Sequence, residues 1–297
     1  MLRDLLISMR PRQWTKNIFV FAGLVFAGEL FNPIFLAESL LAFALFCMAS
    51  GAVYLINDVA DIEKDRAHPV KRNRPLASGR LQPRAAIIAA VVLIVAALPV
   101  AYWLSRHFGW ILLSYFLLML AYSFLLKKMV IVDIMTIAAG FALRAAGGAV
   151  AVGVPISPWL LVCMVLLALF LGLAKRRHEL LLLENNAGQH RGILREYSTA
   201  LLEEMISVVS ASTVIAYALY TFFGHEHQET LPYAYTQRIP YMMLTVPFVI
   251  YGIFRYLYLV YQKKSGGSPE EILLHDLPFL INLLLWAIAV VIILYLV

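Results

Sequence analysis

The chain has 297 residues, of which 62% are hydrophobic and 14% are charged, and its net charge at pH 7 is +6. This balance is typical of an integral membrane protein and argues against a soluble domain built around a large core. The two cysteines, Cys47 and Cys163, lie in separate apolar runs, so the sequence offers neither a disulfide framework nor a zinc-binding spacing.

The first predicted element is a short amphipathic helix. Residues 1–13 carry Leu2, Leu5, Leu6 and Met9 at helical spacing, which predicts a helix that lies on the membrane surface. The charges of this segment are too numerous for the apolar region of a secretory signal.

Apolar runs long enough to cross a bilayer follow, and they predict an all-α integral membrane protein with nine transmembrane helices. The first run is the least regular, because Glu29 interrupts it and Pro33 forces a turn directly afterwards. The predicted spans are residues 14–31, 34–56, 85–104, 110–126, 131–154, 159–174, 205–223, 241–261 and 279–297.

The distribution of lysine and arginine predicts that the N-terminus is cytoplasmic. With nine spans in this orientation, twenty of the 24 cationic side chains fall in cytoplasmic segments, as the positive-inside rule requires. The main cytoplasmic loops are then residues 57–84, 175–204 and 263–278. Because the cations are divided among five short segments bounded by membrane, the sequence argues against a nucleic-acid partner.

A polar segment, NDVADIEKDRAHPVKRNR at residues 57–74, ends the second predicted span. Asp58, Asp61 and Asp65 are spaced at i, i+3 and i+7, and Asn57 comes four residues before Asp61. One helix that continues out of the membrane would align these four side chains on a single face. Clustered carboxylates repel one another unless a hard cation lies between them, and Mg²⁺ binds carboxylates together with substrate phosphate oxygens. The spacing therefore predicts a Mg²⁺ site that binds a diphosphate.

Several strings of this sequence resemble one protein family. The pattern NDxxDxxxD followed by HPxKxxRPxxSG, at residues 57–79, is similar to the first aspartate-rich motif of the UbiA-type membrane prenyltransferase superfamily. RPRQWTKN at 10–17, YSFLLKKMVIVD at 122–133 and AKRRHEL at 174–180 resemble one branch of it, the decaprenyl-phosphate phosphoribosyltransferases. The resemblance extends over most of the chain.

The resemblance implies a nine-helix UbiA-type bundle that forms a single catalytic domain over residues 1–297, capped by the cytoplasmic loops. It implies transfer of a 5-phosphoribosyl group from phosphoribosyl diphosphate to a polyprenyl phosphate, with Mg²⁺ as cofactor and release of diphosphate. The reaction would take place at the cytoplasmic face of a prokaryotic cell membrane. The sequence leaves open whether the protein forms a homo-oligomer.

The same resemblance assigns roles to individual side chains. The candidate metal ligands are Asn57, Asp58, Asp61 and Asp65, and the candidate catalytic residues are Asp58, Asp61, Asp65 and Lys71. The candidate substrate-binding residues are Lys16, Asn17, Arg72, Arg74, Tyr122, Lys127, Arg144, Lys175, Arg176 and Glu179.

One departure from the family pattern separates its branches. Prenyltransferases of this superfamily carry a second aspartate-rich motif after the sixth helix, where Lys175 and Arg176 stand in this chain. Cations at this position predict direct contacts with substrate phosphate in place of a second metal. Glu179 retains some acidity, which leaves a second metal open.

Some residues have a second interpretation. Positive-inside anchoring explains Lys16 as well as lipid phosphate binding does, and an interfacial Tyr122 with a topology-determining Lys127 would look the same as a binding pair. Arg144 lies deep in an apolar run, which is costly unless it faces protein or water, so it predicts a polar cavity.

The sequence leaves two alternative functions open. The first is prenyl transfer from a prenyl diphosphate to an aromatic or other small acceptor. The second is a lipid-phosphate transporter or scaffold, which would give Asn57, Asp61 and Asp65 no reason to share one helix face.

Overall fold

The computed structural model describes residues 1–69, 71–184, 196–223, 239–263 and 275–296. Within these ranges, all regular secondary structure is helical. The backbone contacts divide the chain into two compact units, and helix α7 (Val132–Ala151) contributes residues to both.

The first unit comprises Met1–Leu126 and Gly140–Pro155. It contains α1 (Leu2–Ser8), a 3-10 helix (Pro11–Phe21), α2 (Ala22–Phe26), α3 (Pro33–Ala60), α4 (Ile62–Ala67), a 3-10 turn (Lys71–Asn73), α5 (Pro83–Leu104), α6 (Arg106–Phe124) and the second part of α7.

The second unit comprises Lys127–Ala139 and Ile156–Val297. It contains the first part of α7, α8 (Pro158–Glu184), α9 (Thr199–Phe223), a 3-10 helix (Ile239–Thr245), α10 (Val246–Tyr261), α11 (Leu277–Val291) and a terminal π-helix (Ile292–Leu296). Its core is formed by Ile134 of α7 and by apolar side chains of α8 to α10 that include Phe170, Leu173, Leu202 and Tyr256.

Local sequence explains where the long helices begin. The side chain of Asn32 accepts hydrogen bonds from the backbone of Ile34 and Phe35 at 3.1 and 3.4 Å, and Pro33 occupies the first helical position of α3. Asp276 caps α11 in the same way, with its carboxylate 2.9 Å from the backbone nitrogen of Phe279. These caps satisfy backbone N–H groups that have no partner within the helix.

Among the residues that the structure describes, eight helices are long and apolar enough to cross a bilayer, so the protein is a multi-pass membrane protein. The count of nine is not confirmed. The first predicted span, residues 14–31, does not form one long α-helix. Its first residues belong to the 3-10 helix Pro11–Phe21, and the short α2 follows. This segment packs closely on α7, where a Cβ atom added to Gly148 would lie 1.8 Å from the carbonyl oxygen of Val20.

The helices also extend into the predicted loops. α8 continues to Glu184, so Lys175, Arg176 and Glu179 lie on a helix and not in a loop, and α9 already begins at Thr199. The cause is local, because residues 175–184 contain good helix formers and neither glycine nor proline. Residues 185–195 and 264–274, which fall within two of the predicted cytoplasmic loops, lie outside the described part of the chain.

Candidate active site

The aspartate-rich segment lies where α3 ends and α4 begins. α3 stops at Ala60, and Asp61 stands between the two helices, so the continuous helix expected from the spacing is interrupted there. Helical hydrogen bonding nevertheless persists: the amide of Asp61 donates to the carbonyl of Asn57 at 3.0 Å, and that of Asp65 to the carbonyl of Asp61 at 2.8 Å. Asp58 and Asp65 are therefore kept near one another in the fold.

Arg74 brings these two carboxylates together. One nitrogen of its guanidinium group, Nη1, donates to Asp58 Oδ1 at 3.2 Å and to Asp65 Oδ2 at 2.6 Å. The side chain of Asp58 is 2% exposed and that of Asp65 is 6% exposed, so both charges need a partner. Asp61 lies farther out, where its carboxylate is 3.7 Å from the exposed ammonium group of Lys64.

The loop after α4 places Arg74. Leu76 and Leu81 are buried in a core that also contains Ala52 and Leu55 of α3, so the loop is held against the helix that carries Asp58. Between these two leucines the chain turns at Gly79, whose φ of +78° is a left-handed conformation that favours glycine. The SG pair of the HPxKxxRPxxSG string therefore has a structural role in returning the loop to the core.

Arg10 is a contact of Asp58 that the sequence did not predict. Its guanidinium group donates to Asp58 Oδ1, and its Cζ lies 4.7 Å from the centre of the Tyr54 ring. In the sequence Arg10 counts only as one of many cytoplasmic cations. Its place in the RPRQWTKN string was the signal available, but spacing alone gives no reason to connect it with a carboxylate 48 residues later.

The aspartate-rich segment carries the type of oxygen donor that binds Mg²⁺. Within the described ranges, no group of three or more His, Cys, Asp or Glu side chains is close enough to hold a metal ion. However, Mg²⁺ is usually bound through one or two carboxylates together with substrate phosphates. Asp58 and Asp65 supply two oxygen donors that already converge on a positive charge. Asn57 and Asp61 lie within one helical turn of Asp58 and are half-buried.

A second polar group lies within the apolar part of the same unit. Arg144, on α7, donates through Nε to Asn17 Oδ1 at 2.7 Å and through Nη2 to the hydroxyl of Tyr115 at 2.6 Å. The amide nitrogen of Asn17 lies 3.2 Å from Cys47 Sγ and 3.4 Å from Ser50 Oγ. Arg144 is thus surrounded by polar partners, of which Asn17 is one, while the polar cavity expected around it stays a prediction.

In the second unit, Arg176 is buried in an ionic network. Its Nε and Nη2 each lie 3.0 Å from Asp133 Oδ2, and its Nη1 lies 2.7 Å from Glu179 Oε2. The hydroxyl of Tyr197 donates to Asp133 Oδ1 at 3.0 Å and accepts from the amide of Ile131 at 2.6 Å. Burial raises the pKa of Tyr197 to about 12, so this hydroxyl stays protonated at neutral pH.

The structure therefore groups the predicted site residues in three clusters: Asp58 with Asp65 and Arg74, Asn17 with Arg144, and Arg176 with Glu179. The remaining predicted residues are placed individually. Tyr122 lies in the last turn of α6 and Lys127 in the 3-10 turn Leu126–Lys128, and both are half-buried. Lys16, Lys71 and Lys175 are half-buried, and Arg72 is exposed.

Comparison with known proteins defines the class of this fold. The sequence profile of the UbiA prenyltransferase family matches residues 17–284, and the chain belongs to this family. The fold agrees: the structure of a UbiA homolog from Archaeoglobus fulgidus bound to GPP and Mg²⁺ superposes with a TM-score of 0.71, at 17% identity, over 98% of this chain and 99% of that one. An apo UbiA homolog from Aeropyrum pernix K1 gives a TM-score of 0.62 over 93% and 97% of the two chains, also at 17% identity.

Two relatives that match nearly the whole chain at higher identity share one name. A decaprenyl-phosphate phosphoribosyltransferase from Mycolicibacterium smegmatis is 34% identical over 286 residues, which cover 95% of this chain and 89% of that protein. The protein of the same name from Corynebacterium glutamicum is 34% identical and covers 97% and 86% of the two chains. The resemblance inferred from the motifs is confirmed.

Proposed function

We propose that this protein transfers a 5-phosphoribosyl group from phosphoribosyl diphosphate to a polyprenyl phosphate. The bond from ribose C1 to the diphosphate oxygen breaks, and the diphosphate leaves with the electron pair. A new bond forms between C1 and an oxygen of the lipid phosphate. Two relatives that span nearly the full chain are named decaprenyl-phosphate phosphoribosyltransferases, and this name supports transfer of a phosphoribosyl group to a polyprenyl phosphate.

The observation that carries the proposal is the convergence of Asp58 and Asp65 on Arg74. Two buried carboxylates beside a guanidinium group suit a substrate that arrives as a complex of a divalent cation and a diphosphate, because the substrate brings both signs of charge. A transporter or scaffold would not need such a group, since it has no leaving diphosphate to stabilise.

In this proposal Mg²⁺ is held by Asp58 and Asp65 with Asn57 and Asp61, and when bound it neutralises the charge that develops on the departing diphosphate. The side chains of Lys71, Arg72 and Arg74 bind phosphate oxygens from the loop after α4. The attacking lipid phosphate is already ionised at pH 7, so no general base has to remove a proton. The work of the protein is then to hold the two phosphate-bearing substrates in line.

The remaining candidates belong to the same proposal. Substrate phosphates are contacted by side chains that carry a positive charge or a hydrogen-bond donor, namely Lys16, Asn17, Tyr122, Lys127, Arg144, Lys175 and Arg176. Glu179 contributes to substrate binding by holding Arg176. We further propose that the protein acts in the cell membrane with its site open to the cytoplasm, as the distribution of cations indicates.

The test uses the purified full-length chain in detergent with Mg²⁺, a polyprenyl phosphate and phosphoribosyl diphosphate labelled in the ribose. We expect label to enter the organic phase, and Asp65→Asn to abolish this transfer. Glu63→Gln is the matched control, because Glu63 is a carboxylate of the same helix whose side chain is 86% exposed. Label that stays in the aqueous phase with wild-type protein would reject the proposal.

A prenyltransferase that acts on a small acceptor is the second candidate. The family name and the solved homolog bound to GPP and Mg²⁺ favour it at the level of fold. The basic sequence at Lys175 and Arg176 favours phosphoribosyl transfer, since Arg176 is a cation where a second aspartate motif would stand. Prenyl transfer from GPP to an aromatic acceptor, with phosphoribosyl diphosphate left unused, would decide for the second candidate.

A further inference from the structure

Arg10 has no role in the proposed function, although it contacts Asp58, the most deeply buried carboxylate of the aspartate-rich segment. Asp58 Oδ1 accepts from Arg10 and from Arg74, and the side chain of Asp58 is 2% exposed while that of Arg10 is 27% exposed. The side chain of Arg10 is therefore partly accessible from outside, whereas that of Asp58 is not.

The charges around Asp58 balance. Two carboxylates, Asp58 and Asp65, are matched by two guanidinium groups, Arg10 and Arg74. A divalent cation that enters this group alone adds two positive charges to a cluster whose sum is zero, which Coulomb repulsion from both guanidinium groups opposes. A cation that enters together with a diphosphate meets no such excess, because the diphosphate binds the guanidinium groups that the carboxylates release.

The backbone of Arg10 is held in place for such a role. Its φ of 55° is a left-handed conformation that is uncommon outside glycine. Its amide donates to the carbonyl of Ile7 at 3.1 Å, and its carbonyl accepts from the amide of Gln13 at 2.8 Å. The preceding residue, Met9, packs on α3, where a Cβ atom added to Gly51 would lie 2.9 Å from Met9 Cε. The backbone at Arg10 is thus held in a defined turn, and from this position the side chain lies over the Tyr54 ring and contacts Asp58.

We infer that Arg10 is a further substrate-binding residue: its guanidinium group neutralises Asp58 in the empty protein and binds the diphosphate when a divalent cation takes its place on the carboxylate. Metal and diphosphate then bind together, and the metal alone binds weakly. The inference rests on the proposed function for the identity of the diphosphate substrate. The charge arrangement itself does not depend on which group is transferred.

The test measures binding of Mn²⁺ alone to the full-length protein in detergent, by electron paramagnetic resonance, and then with inorganic diphosphate added. In wild-type protein, diphosphate should tighten Mn²⁺ binding. Arg10→Gln leaves two carboxylates facing one guanidinium group, so Mn²⁺ alone should bind about tenfold more tightly, and the gain from added diphosphate should fall. A residue with a merely structural role would weaken both kinds of binding or leave both unchanged.

Three further variants complete the design. Arg10→Lys keeps the charge and should bind Mn²⁺ alone as wild-type protein does. Arg10→Met is a second neutral variant that still packs over the Tyr54 ring, and it should reproduce the shift of Arg10→Gln if the glutamine variant does not fold. Arg12→Gln removes an exposed cation two residues away and should change neither affinity.

Unchanged or weaker Mn²⁺ binding in both neutral variants would overturn the inference, and so would equal behaviour of the lysine and glutamine variants. Failure of the proposed function is a separate result. It would be seen as no phosphoribosyl transfer by wild-type protein, whereas the binding of Mn²⁺ and inorganic diphosphate uses neither the ribosyl donor nor the lipid.

Discussion

Replacing Asp133 by asparagine tests the buried ionic network of the second unit. The Asp133 side chain has no exposed surface, and the Arg176 side chain is 5% exposed. Loss of one partner from a buried ion pair costs about 3–5 kcal/mol, because the other charge stays buried without compensation. Arg176 retains its contact with Glu179 at 2.7 Å. We therefore expect the lower end of that range, about 3 kcal/mol of the free energy of unfolding.

The adjacent arginine provides the matched control. Arg177 pairs with Glu203 at 2.7 Å, but the Glu203 side chain is 41% exposed. Exposed ion pairs contribute about 0–1 kcal/mol, so Glu203→Gln should have a small effect. The two substitutions have the same chemistry and remove a carboxylate from neighbouring arginines of α8. The arginines are 5% and 11% exposed, so the pairs differ mainly in the carboxylate, which is fully buried in Asp133 and 41% exposed in Glu203.

Thermal unfolding of both variants in the same detergent, followed by circular dichroism, measures the difference. With about 2 °C for each kcal/mol in a chain of this size, Asp133→Asn should lower the midpoint by about 6 °C and Glu203→Gln by less than about 2 °C. Equal shifts for the two variants would refute the argument that burial of Asp133 and Arg176 makes their pair important for stability.

Three other predictions concern the site and the topology. Asp58→Ala should reduce turnover by about a hundredfold or more, which corresponds to about 3 kcal/mol of transition-state stabilisation, and full activity in the presence of a chelator would disprove the metal assignment. Arg176→Ala should weaken substrate affinity or turnover, Arg176→Lys should restore it only in part, and rescue of the alanine variant by extra Mg²⁺ would contradict direct phosphate binding. A cysteine at the exposed Asn73 should react with an impermeant reagent only from the cytoplasmic face, and labelling from outside would show that the orientation is reversed.

The helical membrane fold could be predicted because the apolar runs are long and nearly free of charge. Eight of the predicted spans coincide with long helices of the structure. The exception is the segment around Asn17, where an apolar composition does not produce a long α-helix. Its 3-10 helix packs on Gly148 of α7, and a contact between residues so far apart in sequence has no local pattern that could predict it.

The sequence indicated which residues belong to the candidate site, but not which of them contact one another. The i, i+3 and i+7 spacing predicted one helical face for Asp58, Asp61 and Asp65, and in the structure Asp58 and Asp65 both contact Arg74 across the helix break at Asp61. The spacing could not supply Arg10, because Arg10 lies 48 residues earlier and meets Asp58 through tertiary packing, in which Met9 contacts α3. Asp133 illustrates the same limit, since an aspartate at the start of a helix is usually a cap, and only the fold shows its pairing with Arg176.

For Arg144, the free-energy cost of placing a charge inside an apolar span allowed a prediction from sequence alone. The cost of a charge inside a span predicted a polar cavity, and the structure shows hydrogen bonds from Arg144 to Asn17 and Tyr115. Every polar or aromatic partner that the described part of the chain gives to Arg144 is neutral, so its charge is solvated by dipoles and ring faces without being cancelled. An uncancelled cation in a medium of low dielectric constant attracts anions over a longer range than a surface cation does. That property is the physical reason to keep Arg144, together with its partner Asn17, among the residues proposed to act on a substrate phosphate.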